Sequence, residues 1–177
     1  MSGEAAPLPF APTLPAEEAA RANFYGLLAR LFYAPPDAEL LAAIAGADEI
    51  VAEQEGGRAF ALAWRDLKLA AAQADAADVA DEYDTLFVGT GRAPISLYAG
   101  AYLAKGEIDN PLVAIRGFLA AHGFARRQSV HEPEDHVALL CEVMRHLIAQ
   151  EQAALADQSS FFTRFLGPSY EPLCEAI

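Results

Sequence analysis

The chain has 177 residues, enough for one domain with a sizeable core. Its 25 acidic and 12 basic residues give a formal charge of −13, which disfavours nucleic acid and anionic membrane surfaces and suits a basic partner. The apolar fraction of 54% argues against disorder. Much of it is alanine, the best helix former, and Val, Ile and Thr are sparse, so the expected fold is all-α.

Residues 1–15 hold Pro7, Pro9, Pro12 and Pro15 and are expected to form a flexible arm. Met1 to Ala20 has no Lys, Arg or long apolar stretch, so it does not read as a secretory signal, and no apolar run approaches the ~18 residues of a membrane span. Thr13 is placed to cap a first helix, with Pro15, Glu17 and Glu18 in its first turn and Phe24, Leu27, Leu28, Leu31 and Phe32 on one face. Pro35-Pro36 stops it. Asp37 caps a short helix through Ile44, ended by Gly46, and another short helix is expected near Asp48–Glu55, broken by Gly56-Gly57.

Phe60, Ala63, Trp64, Leu67 and Ala71 give the next apolar stripe, and Val79, Tyr83, Leu86 and Phe87 the one after. Residues 88–96, with Gly89, Gly91 and Pro94, read as an ordered loop, followed by a brief helix around Leu97–Lys105. Asn110-Pro111 is a strong helix start, with Leu112, Ile115, Phe118 and Leu119 along the buried face and Gly123 at the end. After a polar connection over 124–132, Pro133 is expected to start the longest helix. Glu134 and Asp135 stand in its first turn, Val137, Leu140, Cys141, Met144, Leu147 and Ile148 form its buried stripe, and it is expected to end near Ala156. Ser159 or Ser160 caps a last segment, broken by Gly167-Pro168.

Three constellations bear on function. His131, Glu132, Glu134, Asp135 and His136 invite a metal reading. Adjacent helical residues point about 100° apart, however, and H-E-x-x-H is absent. A helix start with dipole-complementing acids, or a polar patch at a binding groove, explains the same run. Glu142 and His146 fit an ordinary i,i+4 surface pair. The aromatic group Tyr83, Phe87 and Tyr98, with Leu86, Pro94 and Ile95, is compatible with core or with the wall of a groove beside a Gly/Pro loop. No nucleophile motif stands out, and Gly89-Thr90-Gly91-Arg92 lacks the Lys-Ser/Thr and preceding strand of a phosphate loop. Cys141 and Cys174 make neither a disulfide framework nor a zinc pattern and are expected to behave as small apolar residues in a reducing cytosol.

In E-Y-D-T-L-F-V-G (82–89), A-P-I-S-L-Y-A-G-A-Y (93–102), N-P-L-V-A-I-R-G-F-L-A-A-H-G-F (110–124) and E-P-E-D-H-V-A-L-L (132–140), the sequence resembles the TorD/DmsD/NarJ family of redox-enzyme maturation chaperones, over about Phe24 to Tyr170. The resemblance implies a helical bundle with an N-terminal half (about 16–125), a hinge (about 126–134) and a C-terminal half (135–177). It also implies a cytoplasmic, non-enzymatic protein without a cofactor. Such a protein binds the twin-arginine signal peptide of a molybdenum or tungsten oxidoreductase, such as a formate dehydrogenase or an S- or N-oxide reductase, and holds the apo-enzyme back until its cofactor is inserted. Residues of this family linked to peptide binding match Leu86, Phe87, Pro94, Asp135 and His136. Many relatives carry tryptophan where Ile95 stands here, and relatives continue through further helices, which suggests a C-terminal half incomplete at its end and a monomer or a domain-swapped dimer.

Two guanidiniums followed by an apolar segment need fixed carboxylates and a greasy groove. Glu134 and Asp135, with Glu132 and Glu82, are the candidate anions, while Tyr83, Leu86, Phe87, Pro94 and Tyr98 are the candidate apolar surface. His136 is placed to orient Asp135 or to sense pH. The alternatives are a helical metal- or nucleotide-binding enzyme using the 131–146 cluster, and a generic helical adaptor.

Overall fold

The computed structural model describes residues 14–52, 55–89, 91, 93–103, 110–125, 131–150 and 155–177. The first helices are α1 (Ala16–Tyr33), α2 (Ala38–Ala45), α3 (Glu55–Gln73) and α4 (Ala76–Tyr83), the last running into a π-helical turn at Asp84–Val88. Then come α5 (Gly100–Leu103), α6 (Pro111–Ala121), α7 (Val137–Ala149), α8 (Leu155–Phe161), a second π-helical turn at Phe162–Leu166, and α9 (Gly167–Ala176). Among the described residues the only extended pairing is a single antiparallel bridge between Tyr98 and His136. The all-α expectation holds.

Helix α1 works on two sides. Its small residues Ala22 and Ala29 are buried in the main core, and a Cβ on Gly26 would stand 3.0 Å from Arg145 Cδ of α7, so α1 lies close along that helix. Leu27 and Leu31 face the other way, onto Leu40, Leu41 and Ile44 of α2 and Ala71 of α3. Phe24 meets Phe60 and Trp64 edge-on. The expected stripe therefore serves mainly the smaller α2/α3 cluster, and Leu28 is exposed. The larger core joins α7 to α6, α8, the second π turn and α9. Ile115, Leu140, Leu147, Phe161 and Phe165 are fully enclosed there, and every residue expected on the α7 stripe is buried.

Local signals set several boundaries. Asp37 accepts the Leu40 amide at 2.8 Å and Asn110 the Val113 amide at 3.2 Å, capping α2 and α6, each worth about 1 kcal/mol. Gly123, at φ +73°, follows α6 in the left-handed region that favours glycine.

Other boundaries differ from expectation. Residues 48–52 are not helical; the Asp48 carbonyl takes the Trp64 indole N–H at 2.9 Å. Gly56-Gly57 does not break a helix but lies in the first turn of α3, where a Cβ on Gly57 would meet the Ala52 Cβ at 2.7 Å. Helix α7 starts at Val137 rather than Pro133, ends at Ala149, and is shorter than α1 and α3. Ser159 and Ser160 lie inside α8. At Gly167-Pro168 the chain passes from a π turn directly into α9, where Ser169 donates its hydroxyl to the Phe165 carbonyl at 2.8 Å. Cys174 is exposed, whereas Cys141 is buried. Residues 1–13 of the arm expected over 1–15, the Thr13 cap and most of the 126–134 connection lie outside the described residues, whereas Leu14 packs on the main core and Pro15 stands at the cap of α1.

Candidate functional site

The first motif ends α4 and makes the π turn. The Gly89 amide closes that turn on the Asp84 carbonyl at 2.7 Å, with Gly89 at φ +65°. Leu86 and Phe87 lie in this turn, half-buried against the main core. Phe87 sits edge-on to Tyr83 at 5.0 Å and to Phe32 at 6.3 Å, while the Tyr83 hydroxyl donates to the Phe32 carbonyl at 2.9 Å. The loop folds back on this turn, the Ile95 amide donating to the Leu86 carbonyl at 3.1 Å. Ile95 is buried and Pro94 exposed.

The second motif is a turn, not a helix. The Ala99 amide donates to the Asp135 carbonyl and the Val137 amide to the Leu97 carbonyl, both at 2.8 Å, so His136 is held extended at φ −64°, ψ 131°. This explains why α7 cannot start at Pro133, and why the helix expected from Leu97 begins only at Gly100. His136 is the cap of α7: its Nδ1 accepts the Ala138 amide at 3.2 Å, which places the proton of the neutral ring on Nε2. Its ring lies edge-on to Tyr98 at 5.2 Å and to Tyr33 at 6.4 Å. Burial lowers its pKa from 6.5, against the opposing pull of Glu132 and Asp135.

The Tyr98 hydroxyl donates to Glu132 Oε2 at 2.6 Å. That bond, ahead of burial, pushes the phenol pKa up to about 12. Burial raises the Tyr83 pKa as well, with Glu132 the next cause, so the first motif feels the charge of the second. Glu134 is paired with Arg116, whose Nε donates to Oε2 at 3.0 Å. Asp135 is buried, and its Oδ2 accepts the Gly100 amide at 3.2 Å. Glu82 is exposed on α4.

The two motifs therefore meet through the end of α1: Phe32 touches the first and Tyr33 the second. Neither is marked for the site by the sequence: Phe32 reads as the end of the apolar stripe of α1, and no motif singles out Tyr33. Tyr33 also borders a cleft of about 410 Å³ between α1, the Pro35–Asp37 corner and α7, walled by Arg30, Leu40, Ala138 and Leu139. A second hollow, about 630 Å³ between α6 and α7, is edged by Glu134, Glu142 and His146. Glu142 and His146 form the expected i,i+4 pair at 3.4 Å. Among the described residues no three His, Cys, Asp or Glu side chains converge as a metal site needs. No described helix is long and apolar enough to cross a membrane.

A family model described as nitrate reductase delta subunit matches residues 53–175. The chaperone protein TorD of Vibrio cholerae serotype O1 (strain ATCC 39315 / El Tor Inaba N16961) is 32% identical over 99 residues, covering 50% of this chain and 45% of that protein. The probable Tat proofreading chaperone DmsD of Haemophilus influenzae is 31% identical over 72 residues, 40% of this chain and 36% of that one. Each match thus spans less than half of the relative's length.

Proposed function

We propose that this chain, which belongs to the nitrate reductase delta subunit family, is a maturation chaperone that binds the twin-arginine signal peptide of a molybdenum or tungsten oxidoreductase and holds it in the cytoplasm until its cofactor is in place. It acts by binding, not by catalysis. The names of its relatives, a TorD chaperone and a probable Tat proofreading chaperone, support the role. The client is an enzyme of the formate dehydrogenase or S-/N-oxide reductase kind.

One observation carries the reading. The end of α1 makes a single face of two motifs about fifty residues apart in sequence, with aromatic rings (Phe32, Tyr33, Tyr83, Phe87, Tyr98) beside a turn bearing Glu132, Glu134, Asp135 and His136. A leader that is cationic at one end and apolar at the other matches such a face. Leu86, Phe87, Pro94, Tyr83 and Tyr98 would take its apolar residues, and Glu132 and Glu134 of the turn would supply the anionic edge. The cleft beside Tyr33 gives the leader room to continue toward α2.

Calorimetric titration with a synthetic leader tests this. Affinity should fall as salt rises, and replacing both arginines by lysine should weaken binding by about tenfold or more, because lysine cannot form the bidentate pair. Equal affinity for the two peptides would instead mark a generic helical adaptor.

A further inference from the structure

The four residues 97–100 and the three residues 135–137 are joined by three hydrogen bonds: Val137 amide to Leu97 carbonyl, Ala99 amide to Asp135 carbonyl, and Gly100 amide to Asp135 Oδ2. Asp135 thus accepts with both its main chain and its side chain from adjacent residues of one loop. Its residue exposure is only 9%. Among the described residues the side-chain hydrogen bond of Asp135 goes to the Gly100 amide, at 3.2 Å. We propose that Asp135 serves peptide binding as a positioning residue, acting through Gly100 to hold Tyr98 in register against His136, and that it does not itself receive a guanidinium of the leader.

Gly100 is the other half of the clasp. A Cβ built there would stand 2.8 Å from Asp135 Oδ2, closer than real contacts allow, so a side chain at residue 100 would push the carboxylate away from the amide. The bond matters because the bridge is a single pair. The buried Leu97, Ala99 and Val137 favour one register, but among the described residues no neighbouring strand supports the pair, and a slip of one residue would turn Tyr98 to the opposite face. Tyr98 would then lose both Glu132 Oε2 and the edge of His136. The Asp135–Gly100 bond adds a third point of attachment and fixes that register.

The inference rests on the signal-peptide reading, and the decisive variant is Asp135→Asn. Its amide oxygen still accepts the Gly100 amide, but its charge is gone. Leader affinity and its salt slope should stay within about twofold of the parent, while Asp135→Ala and Gly100→Ala each weaken binding by about tenfold, the scale of one lost buried hydrogen bond. If Asp135→Asn loses affinity as Asp135→Ala does, or if Asp135→Ala binds like the parent, the positioning role is wrong. Amide hydrogen exchange gives a readout that needs no peptide. Protection of Ala99 and Gly100 should persist in Asp135→Asn and fall in Asp135→Ala; unchanged protection in Asp135→Ala also overturns the role. A parent protein that binds no twin-arginine leader defeats the signal-peptide reading, and the exchange experiment still decides whether the clasp exists.

Discussion

Tyr98 and His136 face each other across an antiparallel bridge, their rings edge to face at 5.2 Å, with the Tyr98 hydroxyl on Glu132 and the His136 Nδ1 on the Ala138 amide. One residue comes from the loop after the first motif and the other from the start of α7. The pair is where the aromatic and the acidic parts of the candidate site become one surface.

His136 makes the protein acid-sensitive in a defined direction. Its folded-state pKa lies below 6.5, so the unfolded chain takes up the proton first. The neutral ring's contribution is complete above pH 6.5 and is lost as pH falls below it toward the lowered folded value. Protonation also removes the Nδ1 acceptor that caps α7. Asparagine caps helices well and does not titrate there. Urea unfolding between about pH 7.5 and 5, above most carboxylate pKa values, should show a steeper loss of stability in the parent than in His136→Asn. Parallel pH profiles would refute it.

The two cysteines should differ in reactivity. Burial pushes the Cys141 thiol up to about 12, whereas Cys174 is exposed on α9. A thiol reagent at neutral pH should modify one cysteine of the native protein and both after unfolding, with mapping by mass spectrometry placing the native adduct on Cys174. Rapid native labelling of Cys141 would contradict the packing of α7.

Truncations of two phenylalanines should separate packing from recognition. Phe165 is fully enclosed, so Phe165→Ala should cost about 3–5 kcal/mol in denaturant unfolding. Phe87 is half-buried beside Tyr83 and Phe32, so Phe87→Ala should cost less, about 1–2 kcal/mol, yet weaken leader binding in the folded protein. Phe165→Ala, measured where it remains folded, should leave leader affinity nearly unchanged. The reverse pattern would move the site away from the π turn.

Two glycines should respond oppositely to alanine. Gly117 is exposed within α6 with nothing within 4 Å of a built Cβ, so Gly117→Ala should stabilise by about 0.5–1 kcal/mol. At Gly167 the Cβ would stand 3.2 Å from the Phe162 carbonyl oxygen and 3.3 Å from its ring, so Gly167→Ala should destabilise by about 1–3 kcal/mol. Thermal melts of the two variants check both signs together.

The parts of the fold legible in the sequence are those specified by neighbours along the chain. Asp37 and Asn110 cap the helices they precede, the Pro35-Pro36 pair follows the end of α1, and the α7 stripe is buried as its 3.6-residue period requires. The first errors fall where contacts outside the helical period intervene. Gly56-Gly57 looks like a break until Ala52 is seen packed against it. The Ala22–Gly26–Ala29 face of α1 looks weak by hydrophobicity, yet it is the face that approaches α7, because small residues permit close contact.

By itself the sequence determined an all-helical chain, its acidic character, the family resemblance and the residues of both motifs, since composition, periodicity and short-range capping are local properties. Only the tertiary structure decided that α7 begins at Val137, capped by His136, and not at Pro133, that Asp135 bonds to Gly100, and that Phe32 and Tyr33 join the motifs. Each of these depends on hydrogen bonds or ring contacts between residues 35 to 103 positions apart, and a local reading along the chain carries no information about which of many possible partners such a group will meet.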